Sequence, residues 1–106
     1  MSQGSFTKYN ETINAIVGES IRCSPASWDF GTLTIDCDGR AIDYSLRNEK
    51  DENKAKFSND LCGLCEELYM IMRSDGDVWI QSIIYFFKKN STWAFELSFK
   101  YDYETQ

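Results

Sequence analysis

Near the start of the chain, a mostly apolar set of side chains returns every three or four positions: Phe6, Tyr9, Ile13, Ile16, Val17 and Ser20 or Ile21. That spacing gathers them on one stripe, so a helix is expected over 5–22. Ser5 is placed to cap it, because its hydroxyl can accept from an orphan amide of the first turn. Pro25 ends it by disfavouring helical geometry at the preceding residue. From 28 to 37 the period shortens to two, with Leu33, Ile35 and Cys37 alternating with Thr32, Thr34 and Asp36. Asp38-Gly39 then reads as a two-residue hairpin turn, since both residues tolerate positive φ. The return strand over 40–47 puts Ile42, Tyr44 and Leu46 on one face.

Residues 48–56 hold one apolar side chain, Ala55, and read as a solvated loop or a frayed helix entry. The helical period resumes over 57–73 through Phe57, Leu61, Leu64, Cys65, Leu68 and Met72, with Ser58 or Asn59 at the cap. Ser74-Asp75-Gly76-Asp77 is a turn. Residues 78–87 are apolar on both alternating faces, which points to a central strand covered on both sides. A turn over 88–92 leads to a last strand over 93–103, where Trp93, Phe95, Leu97, Phe99, Tyr101 and Tyr103 share one face. The order αββαββ predicts an α+β two-layer sandwich, a four-stranded antiparallel sheet carrying two helices. At 106 residues it forms a single domain over 1–106.

Composition narrows the function. Seventeen acidic residues against 11 basic give a net charge of -6. Phosphate backbones and anionic membranes repel such a chain, so neither nucleic acid nor membrane is expected as a direct partner. Basic proteins attract it, and the summed field speeds their capture. No apolar run reaches the ~20 residues of a membrane span. The first residues also lack the basic-then-apolar order of a secretion signal, so a cytoplasmic location is expected. There is no histidine, the usual proton shuttle near neutral pH, and no enzymatic activity is expected.

The motif that most invites chemistry is Cys62-Gly63-Leu64-Cys65, a CxxC. Thiol redox or zinc binding through Cys62 and Cys65 is the alternative functional reading. Redox would require a thiolate held at a helix N-terminus, yet Asp60, Glu66 and Glu67 surround the pair with negative charge. Zinc would require a second close pair, and Cys23 and Cys37 lie fourteen positions apart. Asp36-Cys37-Asp38-Gly39 does not extend to a calcium loop, because Thr34 and Ser45 stand where acids are needed. No metal or cofactor is expected. Solvated acids are the expected state of Glu66-Glu67 and of Asp75 and Asp77.

What remains is an acidic surface. Asp36, Asp38, Asp43, Glu49, Asp51 and Glu52 crowd the first hairpin and the loop after it, near the aromatics Trp28, Phe30 and Tyr44. Acids around aromatic anchors suit a binder of a basic protein, and Trp28, Tyr44 and these six acids are the candidate contact residues. A third reading is a structural domain that pairs through an apolar sheet face.

The element order and its punctuation carry a resemblance. Trp28-Asp-Phe-Gly-Thr-Leu33, the Asp38-Gly39 turn, Leu68-Tyr-Met-Ile-Met-Arg73, Asp75-Gly-Asp-Val-Trp79 and the closing run from Trp93 to Glu104 are the residues concerned. With them the chain resembles the YezG-like immunity proteins, the antitoxins of bacterial polymorphic and contact-dependent growth inhibition systems. Where that pattern has a second Asp-Gly turn, this chain has Lys89-Asn-Ser. The resemblance implies a non-enzymatic αββαββ domain. It would bind one cognate toxin C-terminal domain, commonly a basic nuclease, and occlude its active site or substrate surface. No catalytic residue is carried over.

Overall fold

The computed structural model describes residues 2–51 and 54–101, with side chains from Tyr9 onward. Its elements are α1 (Ser2–Cys23), β1 (Phe30–Cys37), β2 (Ile42–Arg47), α2 (Asn59–Ser74), β3 (Gln81–Lys89) and β4 (Thr92–Lys100). The strands form one antiparallel sheet in the order β2-β1-β3-β4. This is the expected α+β fold. The chain leaves β2, passes through α2 and returns on the far side of β1 as β3.

Both helices bury their stripes against one face of the sheet. Ile13, Ile16 and Val17 of α1 and Leu61, Cys65, Leu68 and Met72 of α2 join Leu33, Ile35, Leu46, Ile84 and Phe86 in one core. Leu33, Ile84, Leu61 and Leu68 keep no exposure, and burial of each such side chain contributes about 2 kcal/mol. Ser82 is the polar residue on this inner face, and its hydroxyl donates to the Ser98 carbonyl at 3.4 Å. Gly31 is required by close packing: a Cβ there would lie 2.6 Å from Phe86 Cζ and 3.1 Å from Trp28 Cε3.

The structure moves several boundaries. Helix α1 begins at Ser2, so Ser5 lies inside it and does not cap it. Strand β1 begins at Phe30; Trp28 lies in the preceding turn, where its amide donates to the Pro25 carbonyl at 3.0 Å. The first hairpin turn is longer than a two-residue loop, because Cys37 pairs with Ile42 and leaves Asp38 to Ala41 in the bend. The Asp38 carboxylate causes this, accepting the amides of Arg40 at 2.8 Å and Ala41 at 3.0 Å. A shift of two residues preserves side-chain faces, so Ile42, Tyr44 and Leu46 still point inward.

Ser58 is the α2 cap, its hydroxyl accepting from the Leu61 amide at 3.0 Å. The same hydroxyl donates to Glu19 of α1 at 2.9 Å, tying the end of one helix to the start of the other. Strand β3 is central but covered on one side alone: Ser82, Ile84 and Phe86 are buried, while Ile83 and Tyr85 are 37 % exposed. The expectation of two covered faces is therefore corrected. Trp79 lies before the strand, fully buried, with its indole N–H donating to Met72 Sδ at 3.3 Å. Asn90 and Ser91, at φ 53° and 68°, make the β3–β4 turn that an Asp-Gly pair would otherwise make. The expected last strand ends at Lys100, and Tyr103 lies outside the described residues.

Candidate partner-binding surface

The residues singled out from sequence fall into separate places. Asp36 and Asp43 are cross-strand partners on the outer face of the β1–β2 ladder. The Gln81 amide donates to Asp36 at 2.8 Å. Among the described residues neither Asp36 nor Asp43 has an ion pair. With Asp38, Cys37 and Ile80 they line a shallow recess of about 360 Å³ at the hairpin end of the sheet. Asp38 is held ionised, its pKa lowered by the amides of Ala41 and Arg40.

Glu49 and Asp51 sit at the other end. Asp51 accepts from the Ser27 hydroxyl at 2.7 Å, and Glu49 is exposed. The length of β1 between Asp36 and Phe30 separates the two acidic groups by about 20 Å, at ~3.3 Å per residue. They do not form one patch. Glu52 lies outside the described residues.

The two aromatics proposed as anchors are not among the surface acids. Trp28 is 3 % exposed and belongs to the core, which corrects its assignment as a surface anchor. Its indole nitrogen is buried, with no hydrogen-bond partner among the described residues. Tyr44 points to the helix side, half-buried, with its ring 5.1 Å from that of Phe57. Its hydroxyl donates to Glu66 Oε2 at 3.0 Å, and burial followed by that carboxylate raises its pKa. The sheet thus stands between Tyr44 and Asp36. Asp75 and Asp77 are not simply solvated acids either: Tyr9 donates to Asp75 at 2.5 Å, and Tyr101 donates to Asp77.

A different acidic feature appears only in three dimensions. Helices α1 and α2 border a recess of about 790 Å³ lined by Ala15, Gly18, Glu19, Arg22, Asn59, Asp60, Gly63, Leu64 and Glu67. Arg22 is committed to Glu19 at 2.9 Å. Glu19 is kept ionised, its pKa lowered first by the Ser58 hydroxyl and then by Arg22. Gly18 and Gly63 interrupt helix interiors, yet a Cβ at either would meet no atom within 4 Å. Each costs helix stability of about 1 kcal/mol relative to alanine, with no packing reason among the described residues. Neither glycine was singled out from the sequence, although two glycines inside helical stripes are the signal that could have found this groove.

The chain matches no protein-family model and no curated protein.

The cysteines are all free thiols. Cys65 has no exposure, and burial, then Cys62 and Glu66, push its pKa up to about 12. Burial, then Glu66 and Cys23, also raise that of Cys62. Both are protonated, weakly nucleophilic thiols at neutral pH. Among the described residues, no three His, Cys, Asp or Glu side chains are grouped to hold a metal ion. No described helix is long and apolar enough to cross a membrane.

Proposed function

We propose that this chain is a cytoplasmic immunity protein that captures the basic C-terminal domain of a cognate toxin, a nuclease, and blocks its substrate surface. The observation that carries this reading is the placement of charge. Among the described side chains, the helices present Glu11, Glu19, Asp60, Glu66 and Glu67 against Arg22 and Arg73. Three of those carboxylates edge the groove between the helices. The glycines in its floor admit close approach of a partner's backbone.

Carboxylates around such a groove would take the places of substrate phosphates on a cationic toxin. Long-range attraction would set the association rate, and the desolvated groove floor would set how long the complex lasts. Asp38 at the hairpin bend, with Glu49 and Asp51 at the other end of the sheet, adds to the steering field. The resemblance to YezG-like immunity proteins supports the same assignment.

The test is charge reversal. Asp60→Lys with Glu67→Lys should slow association with the cationic domain by about tenfold at low salt. Circular dichroism should be unchanged, because both residues are exposed. An association rate equal to that of the wild type would remove the groove from the account.

A further inference from the structure

The helix-free face of the sheet is a further exposed surface, and what it shows is independent of the functional reading above. Its central strands present Phe30, Ile83, Tyr85 and Phe87 outward; Tyr85 stacks on Phe87 at 5.2 Å and meets Phe30 at 6.3 Å. Unlike the rest of the protein, this face is balanced in charge. Asp36, Asp43 and Glu96 are matched by Arg47, Lys89 and Lys100, while the whole chain carries -6. A basic partner gains no net attraction here.

The arrangement of those charges names the occupant. Read across the sheet from β2 to β4, one row runs Asp43, Asp36, Gln81, Lys100, and another runs Arg47, Thr32, Tyr85, Glu96. Each row is acidic at one edge and basic at the other, in opposite senses. Reversing a row end for end therefore sets acid against base at both edges. We propose that a second copy of this chain packs face to face on the sheet, about a two-fold axis running parallel to the strands between β1 and β3.

That operation lays β2 over β4 of the second copy. Arg47 then faces Glu96 of the second copy, and Asp43 faces Lys100 of the second copy. Phe30 lies over Phe87 of the second copy near the axis. It also brings an ammonium to Asp43, whose cross-strand partner within one chain is the like-charged Asp36. Sheets stacked face to face lie ~10 Å apart with a rotation of about 30°. Arginine, glutamate and lysine side chains are long enough to span that stagger.

Four strands at about 4.8 Å spacing give a planar footprint of about 500 Å² per copy. The two sides together lie near the lower bound for a specific interface, so a dimer with a Kd of roughly 10–100 µM is expected.

Sedimentation equilibrium of the full chain tests this. The wild type should show a reversible monomer–dimer equilibrium in that range. Tyr85→Glu should be monomeric. Arg47→Glu alone should weaken the dimer by at least about tenfold, and Arg47→Glu combined with Glu96→Arg should restore it. Within one chain these positions are three strand spacings apart, about 14 Å, so restoration can arise only between chains. The urea midpoint of each variant checks its folding, and the Arg47 and Glu96 exchange stands even if Tyr85→Glu fails to fold. A wild type that stays monomeric at about 1 mM overturns the proposal, because the expected Kd lies well below that. A double exchange no better than the single variant does the same. So does a Tyr85→Glu variant that is folded and still dimeric.

Discussion

Asp36 stands directly opposite Asp43 on the outer face of the first hairpin, two carboxylates in register, with the Gln81 amide donating to Asp36. Like charges in that position oppose the ladder that holds them. Asp43→Asn should raise the stability of the dilute monomer by about 0.5 kcal/mol, read as a higher urea midpoint. A lower midpoint would show that Asp43 makes a stabilising contact within the chain.

Tyr9 latches α1 to the turn after α2 through Asp75. Tyr9→Phe should cost about 1.5 kcal/mol, the lower end for a hydrogen bond to a charged group. The hydrogen bond to Asp75, then burial, raise the Tyr9 pKa from 10.0 to about 12. The folded state therefore holds its proton where the unfolded chain has released it. That contribution is complete below pH 10 and is lost as pH rises towards 12. The wild type should lose stability across this window faster than Tyr9→Phe, as followed by urea denaturation at a series of pH values.

Glu19 and Ser58 form the corresponding link at the other end of the helices. Because the folded-state pKa of Glu19 is lowered, its contribution is complete above the ordinary carboxylate value and fades as pH falls below it. Ser58→Ala should cost about 1 kcal/mol through the lost cap and should flatten that acid-side decline. An unchanged acid profile would separate Glu19 from the cap.

Gly31 and Gly63 should respond in opposite directions. Gly31→Ala drives a methyl against Phe86 and Trp28 and should destabilise by about 1–3 kcal/mol. Gly63→Ala meets nothing and should stabilise α2 by about 0.5–1 kcal/mol. If the groove binds the toxin, the stabilised variant should also release it faster. Thermal melts and dissociation rates measured together would show both effects, and a Gly63→Ala complex as long-lived as wild type would contradict the groove.

Most of the fold was legible because periodicity reports which face of an element is apolar. The alternation from Trp93 to Phe99 and the stripe from Leu61 to Met72 could be read directly. Periodicity does not report what lies on that face. Ile83 and Tyr85 look like core in sequence and remain half open in the structure. Trp28 looked like an anchor beside acids, yet its ring turns inward from the turn before β1. The Asp38 carboxylate lengthened a hairpin that Asp-Gly alone would have closed in two residues. The candidate surface was less legible than the fold. Gly18 and Gly63 meet in one groove only because α1 and α2 pack side by side.

The most direct test is to titrate any cationic polypeptide found encoded beside this gene with the wild-type protein at two salt concentrations. The account predicts a stoichiometric complex, an association rate that falls steeply as salt rises, and loss of the toxin's nuclease activity at equivalence. A toxin that stays fully active beside an excess of folded protein, with no complex at low salt, would contradict it.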